Sequence, residues 1–564
     1  MNTTTSILTG LALASTLHAQ GVKTSEQPYL LARAGADFSF EPIVTVGDRL
    51  PITPGTAPAG ATDFAFCGIP DAMGIYRDRV TGQNILFVSH ETNSATNTRP
   101  FPGLTRYKGA WVSRFVMSND GGIVNGTVAH KELFLENTQA AGVLGTRPPL
   151  EGDATAFTRF CSGSFAGPEH GMDRPLFLTN EESSSGNYDA QGSQTVVIAD
   201  GKMYTAPDLG RVARETTMVQ PRRDALTVVI STEDEGAPSY IYMYVGQKQR
   251  RSSSVLDKNG LTNGKIHVLA GRDAQHNEGT FTTGSLPTKW VEIPNAANLN
   301  AAALATAADA AGAFGFVRVE DSEFDPTQPT RSMFVATTGS AGPNILGRLY
   351  EVSLNPTNPT AEGSLNVVFN ASNIVNPGGT YNGVVGSLID PDGAGPLLAP
   401  GSFGTYTGGG ALGTGSDYPV SIDNIAVSKD FIVCCEDRNQ PADAVFAHYG
   451  RNGGAWTLDR NNNYAAKLQS TFNYAYTQGR DQGVAPAYTT ANTAGRWESS
   501  GVVDSSAIFG PGTFVINVQG HLQGASYMRS NCPDGVGGFL TKAAAVSAYA
   551  EDGQVMIMRP VVAP

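Results

Sequence analysis

The sequence predicts an all-β fold, a β-propeller of about six blades carrying long loop insertions. Three observations lead there. Helical signal is almost absent, with the Ala-rich stretch Asn298–Ala313 the best candidate. Short β-branched and aromatic runs alternate with Gly, Pro, Asn and Asp clusters, and 65 Gly and 33 Pro in 564 residues supply many turns. One strand type also recurs, apolar along its length and polar at its end.

The recurring strand begins with Ile85-Leu86-Phe87-Val88, which runs into Ser89-His90-Glu91. Leu176-Phe177-Leu178 runs into Thr179-Asn180-Glu181-Glu182, and Leu226–Ile230 into Ser231-Thr232-Glu233-Asp234-Glu235. Met333-Phe334-Val335 leads to Ala336-Thr337-Thr338, and Phe431-Ile432-Val433 to Cys434-Cys435-Glu436-Asp437. Phe514-Val515-Ile516 leads to Asn517-Val518-Gln519-Gly520-His521. A buried strand stays apolar until it emerges, so equivalent strands of a radial repeat bring their polar ends to one mouth of the central channel. Ordinary turn chemistry also puts Asp and Glu after strands. Four acidic ends in six favour a shared site over that reading.

Composition narrows the function. The formal net charge is -13, from 38 Lys and Arg against 51 Asp and Glu. That balance argues against a general nucleic-acid binder, which needs cations to displace counterions. At first sight it argues equally against a phosphate-ester substrate. Ser6–Ala14 followed by small residues has the form of a secretory signal, cleaved near Ala19, so residues 1–19 are expected to be a leader and 20–564 one propeller domain. The expected location is secreted, periplasmic or extracellular, and the expected state monomeric. No other stretch is long and apolar enough to span a membrane. Five cysteines, Cys67, Cys161, Cys434, Cys435 and Cys532, are too few for a disulfide scaffold. Cys434 and Cys435 are adjacent in a strand and face opposite sides.

Converging carboxylates cannot all stay ionised without cations, because each raises its neighbours' pKa. Hard divalent ions such as calcium fit a cage of carboxylates. Such a cage would hold a phosphoryl group and stabilise attacking and leaving oxygens. Cys161 precedes Glu181-Glu182 in the same unit and is either a metal ligand or a small buried hydrophobe.

The sequence resembles the PhoX-type alkaline phosphatases, secreted propeller enzymes carrying iron and calcium. Phe87–Glu91, Phe160–Gly163, Leu178–Glu182, Leu209–Glu215, Thr232–Asp234, Phe316–Glu320, Ser421–Asn424, Cys435–Asp437 and Phe514–Gln519 follow the family's motif order, over most of the chain. The resemblance implies that Cys161 ligates iron. It implies metal-ligand positions at Glu91, Glu181, Glu182, Glu215, Glu233, Asp234, Glu320 and Asp423, with Glu436 and Asp437 either ligands or a solvated strand end. It further implies that Arg318 pairs with substrate phosphate and that Asn424 holds a carboxylate or phosphate oxygen. The expected function is metal-dependent hydrolysis of a small phosphate monoester by a metal-bound oxo or hydroxo nucleophile.

Two segments depart from the family pattern: 165–172, with His170, and 497–506, with Asp504. These departures, with His521, leave two rivals: a non-catalytic, metal-stabilised propeller that binds a partner or polymer, and a calcium-dependent phytase-like or lactonase-like hydrolase. Asp390-Pro391-Asp392-Gly393 reads as a turn.

Overall fold

A computed structural model of the chain describes residues 20–136, 138–139, 147–183, 188–340, 343–344, 346–371, 375–381, 384–388, 419–437, 453–477, 497–521 and 525–561. The expected leader and the 390–393 turn lie outside them. Among the described residues no helix is long and apolar enough to cross a membrane.

The strands form six four-stranded antiparallel units, each numbered here from its innermost strand outward. Blade one contains Pro70–Arg77, Asn84–His90, Trp111–Met117 and Ile123–Val128. Blade two contains Phe160–Ala166, Leu176–Glu181, Thr195–Ala199 and Lys202–Thr205. Blade three contains Arg214–Val219, Leu226–Glu233, Ile241–Gln247 and Lys265–Gly271, and blade four Val319–Phe324, Ser332–Thr337, Arg348–Ser353 and Gly363–Asn370. Ser285–Glu292 joins these two blades along their outer edges. Blade five contains Ile422–Val427, Phe431–Glu436, Ala455–Asp459 and Ala465–Leu468. Blade six contains Glu498–Asp504, Phe514–Gly520 and Asp552–Pro560, and its outermost strand is Phe38–Thr45 from the other end of the chain. That pairing closes the ring and leaves no open blade edge between the first and last units.

The innermost strands pack on one another in the order of the chain, and the sixth packs back on the first. All six strands recognised in the sequence are second strands of their blades. Their side chains alternate between the two faces, so each blade sandwiches apolar surface against both neighbours. The core accordingly divides into six clusters, one at each junction between blades. Blade five shows the alternation clearly. Ile432 and Cys434 pack toward blade four, whereas Val433 and Cys435 pack toward blade six. The Ala-rich stretch is a helix over Ala301–Ala310, capped by Asn300, whose side chain accepts the Ala303 amide at 2.9 Å.

Candidate metal centre at the channel mouth

Each innermost strand starts at the mouth with the same local distortion. In blade one Pro70 pairs with His90 but Met73 pairs with Val88, so the inner strand carries one extra residue. The same slip occurs at Phe160/Gly163, Arg214/Thr217, Val319/Ser322, Ile422/Ile425 and Ser499/Val502. Such bulges re-aim side chains that regular pleating would send between the blades. Four of the inner strands are also entered through a non-glycine residue with positive φ: Ile69 (52°), Arg159 (40°), Arg318 (52°) and Ser421 (48°). The carbonyls of these residues accept the amides of Glu91, Glu182, Thr338 and Asp437, the residues that follow the second strands. The turn at the mouth is thus one motif, repeated around the axis.

The consequence is a ring of donors. Asp71, Cys161, Glu215, Glu320 and Asp423 are second residues of the first five inner strands. Glu91, Glu182, Asp234 and Asp437 stand just beyond the second strands of blades one, two, three and five. Glu498 opens the inner strand of blade six. Eight carboxylates and one thiol form four overlapping groups whose ligand atoms lie within 4.8 Å of one another: Asp71–Glu91–Cys161, Cys161–Glu182–Glu215, Glu215–Glu320–Asp423 and Asp423–Asp437–Glu498. Cys161 Sγ lies 3.0 Å from both Asp71 Oδ2 and Glu215 Oε1. Burial, then Glu91, pushes the Asp71 carboxyl up to about 7. Burial, with the charge of neighbouring carboxylates adding to it, holds Glu182, Glu215, Glu320, Asp423 and Glu498 well above the usual range. The Cys161 thiol is raised by burial and then by Asp71 and Glu215.

Two guanidinium groups stand among these acids. Arg318 makes a bidentate pair with Asp234 at 3.0 and 3.2 Å, lies 3.1 Å from Glu320, and reaches to 3.7 Å from Asp437. Arg159 donates to the Glu182 carbonyl and carboxylate, both at 2.9 Å. Two charged arginines cannot neutralise eight carboxylates and a thiol packed this closely. The donor set therefore fits several cations, hard ones on the oxygens and a softer one at the thiol.

Beneath the ring the channel has a polar floor. Asn424 Nδ2 donates to Ser162 Oγ at 2.6 Å, its Oδ1 accepts from Ser500 Oγ at 3.2 Å, and Ser500 Oγ donates to Asp71 Oδ1 at 2.8 Å. Asp321 accepts from Thr216 Oγ1 at 2.5 Å and from the Ile425 amide at 2.9 Å.

The structure thus brings together Glu91, Cys161, Glu182, Glu215, Asp234, Glu320, Asp423 and Arg318 from the sequence-derived set. Four residues are placed elsewhere. Glu181 accepts the Thr158 amide at 3.1 Å, Glu233 the Tyr240 amide at 3.1 Å, and Glu436 the amides of Val420 and Gly454 at 2.9 and 3.1 Å. In an acidic pair at a strand end, alternation sends only the second residue to the mouth. Asn424 is a floor residue with both polar atoms engaged. Sequence reading missed Asp71 and Glu498 as ligands and left Asp437 undecided. The signal for Asp71 and Glu498 is an acid one hairpin before a recognised strand end.

The two divergent segments are also located. Residues 165–172 begin in the last two positions of the inner strand of blade two and run on from its far end, away from the ring, and His170 Nδ1 accepts the Gly167 amide at 3.1 Å. Residues 498–504 are the inner strand of blade six, with Glu498 at the mouth and Asp504 at the opposite end. His521 does reach the mouth, 2.7 Å from Glu551 and 3.8 Å from Glu498.

The family model for alkaline phosphatase PhoX matches residues 201–379, which contain blades three and four with Glu215, Asp234, Arg318 and Glu320. A solved structure, Pseudomonas fluorescens PhoX in complex with vanadate, a transition state analogue, superposes with a TM-score of 0.58 at 13% sequence identity. The alignment covers 96% of this chain and 97% of that one. Residues 201–379 thus resemble alkaline phosphatase PhoX, and the whole chain shares the fold of the PhoX structure. No curated protein matches it. The PhoX-like segment holds one side of the donor ring, whereas Cys161, Asp423 and Glu498 lie outside it.

Proposed function

We propose that this protein is a secreted, metal-dependent phosphatase acting on small phosphate monoesters, with calcium on the carboxylates and iron at Cys161. The reading rests chiefly on the four overlapping donor groups with guanidinium groups among them. The PhoX match over 201–379 supports the same reaction class, and the apolar start of the chain supports export.

Bound cations would supply the positive charge that attracts and polarises a phosphoryl group. The chain's own residues do the rest. The bulged strand starts hold the donors at fixed spacing. Arg318, locked by Asp234 and Glu320, keeps a permanent positive charge beside the ring. Asn424, Ser162 and Ser500 form a hydrogen-bonded layer beneath Asp71. The acidic composition is consistent with an anionic substrate, because cations at the ring reverse the local sign.

The test is metal analysis of the purified protein together with aryl-phosphate hydrolysis before and after chelation. Bound iron and calcium with chelator-sensitive turnover is the expected result. Metal without turnover on any phosphate ester would overturn the reading in favour of a non-catalytic propeller. Turnover confined to a lactone would overturn it in favour of another hydrolase.

A further inference from the structure

The residue just before the bulge of each inner strand is Ile69, Arg159, Ala213, Arg318, Ser421 and Glu498 in turn. Arginine stands there only in blades two and four, either side of blade three, whose Glu215 belongs to two donor groups. Both arginines hold positive φ, as Ile69 and Ser421 do at the same turn.

Their surroundings differ. Arg318 is engaged by Asp234, Glu320 and Asp437, and its side chain is 25% exposed. Arg159 is 44% exposed and spends Nε and Nη2 on Glu182 alone. Among the described residues its Nη1 makes no hydrogen bond or ion pair, although Glu91, Cys161 and Asp234 add to the negative charge around it. The Arg159 backbone is pinned on both sides: its amide donates to the Thr92 carbonyl at 2.9 Å, and its carbonyl accepts the Glu182 amide at 3.0 Å. The exposed guanidinium edge therefore stands beside Glu182, a member of the Cys161–Glu182–Glu215 group. The third cation at the mouth, His521, is held by Glu551.

We propose that Arg159 is the substrate-anion contact of this site, donating from its unengaged edge to a non-bridging phosphoryl oxygen, while Arg318 holds the carboxylates in place. This assignment rests on the phosphatase reading. A charge-assisted hydrogen bond of this kind accounts for about tenfold to a hundredfold in affinity.

The experiment uses the full-length protein with its metals, in wild type, Arg159→Gly and Arg159→Lys. Glycine removes the guanidinium and relieves the positive-φ strain, so folding is preserved. Inorganic phosphate binding is measured by calorimetry, aryl-phosphate KM and kcat by kinetics, and metal content by elemental analysis. Arg159→Gly is expected to weaken phosphate binding and raise KM by about tenfold to a hundredfold, with metal content unchanged. Arg159→Lys, lacking the planar fork, is expected to recover part of that loss. Phosphate binding equal to wild type in an active Arg159→Gly protein overturns the assignment alone. Loss of metal in parallel with phosphate affinity also overturns it, and makes Arg159 a clamp on Glu182. A wild-type protein that neither binds phosphate nor hydrolyses its esters removes the phosphatase reading, and this assignment with it.

Discussion

The strand end of blade five separates structure from chemistry within two consecutive residues. Glu436 is buried, and its two carboxylate oxygens accept the amides of Val420 and Gly454 at 2.9 and 3.1 Å. Asp437 belongs to the Asp423–Asp437–Glu498 group and faces Arg318. Glu436→Ala orphans two buried amides at about 1–3 kcal/mol each, so the expected loss of stability is about 2–6 kcal/mol. Glu436→Gln keeps one acceptor and should lose about half as much. Asp437→Asn leaves those amides paired and removes one charge from the ring, so calcium affinity should fall by at least about tenfold with little change in unfolding free energy. Urea unfolding read by tryptophan fluorescence suits the comparison, because Trp456 and Trp497 are buried in the cores on the two sides of blade five. Calcium titration supplies the second axis. If Glu436→Ala lost calcium while its unfolding midpoint stayed put, the assignment of the strand-end pair would be reversed and the alternation argument would fail.

Three further outcomes are expected. Cys161→Ser should keep the hard-cation content and lose the softer metal, since the oxygen that replaces Sγ is a poorer ligand for it; elemental analysis before and after the substitution decides this. Asn424→Ala should lower stability by about 1–3 kcal/mol while leaving the phosphate inhibition constant unchanged, because it unpairs Ser162 and Ser500 beneath the ring; a changed inhibition constant with unchanged stability would return Asn424 to the site. His130 is buried with neither ring nitrogen bonded among the described residues, and burial lowers it from an ordinary 6.5 to about 3. The unfolded chain therefore takes up a proton that the native state refuses. Stability should fall by about 1.4 kcal/mol for each pH unit from about 6.5 toward about 3, and His130→Leu should flatten that acid limb. An identical slope in both proteins would remove His130 from the account.

The blade count was legible because a second strand is buried on both faces. Such a strand is written as an uninterrupted apolar run, as in Ile85–Val88 or Phe514–Ile516, and needs no knowledge of its partners. The inner strands carry no such mark. Val319-Glu320-Asp321-Ser322-Glu323 and Glu498-Ser499-Ser500-Gly501 line a polar channel, and their sequences resemble loops. That is why Asp71 carried no signal of its own and Glu498 fell within the segment that departs from the family pattern. The choice between neighbours in an acidic pair was hidden for a different reason. Glu181 and Glu182 are chemically identical, and only pairing register sends one to the Thr158 amide and the other to Cys161 and Glu215.

The bulges explain how a ring of donors can be assembled with few fixed residues. Each blade needs only one extra residue at the start of its inner strand and one acid or thiol there. The constraint is on backbone geometry rather than on long stretches of sequence. Blades four and six show how far it relaxes. Thr338 takes the place of an acid and donates to Glu320 at 2.5 Å. In blade six Ser500 and Gln519 fill the two places, and Glu498 supplies the carboxylate from two residues earlier. The ring is therefore acidic without interruption from blade one to blade three and thinner over blades four and six. An anion approaching the mouth meets the least repulsion over those two thinner blades. Over the denser half it meets positive charge at Arg159 and wherever the donor groups would hold cations.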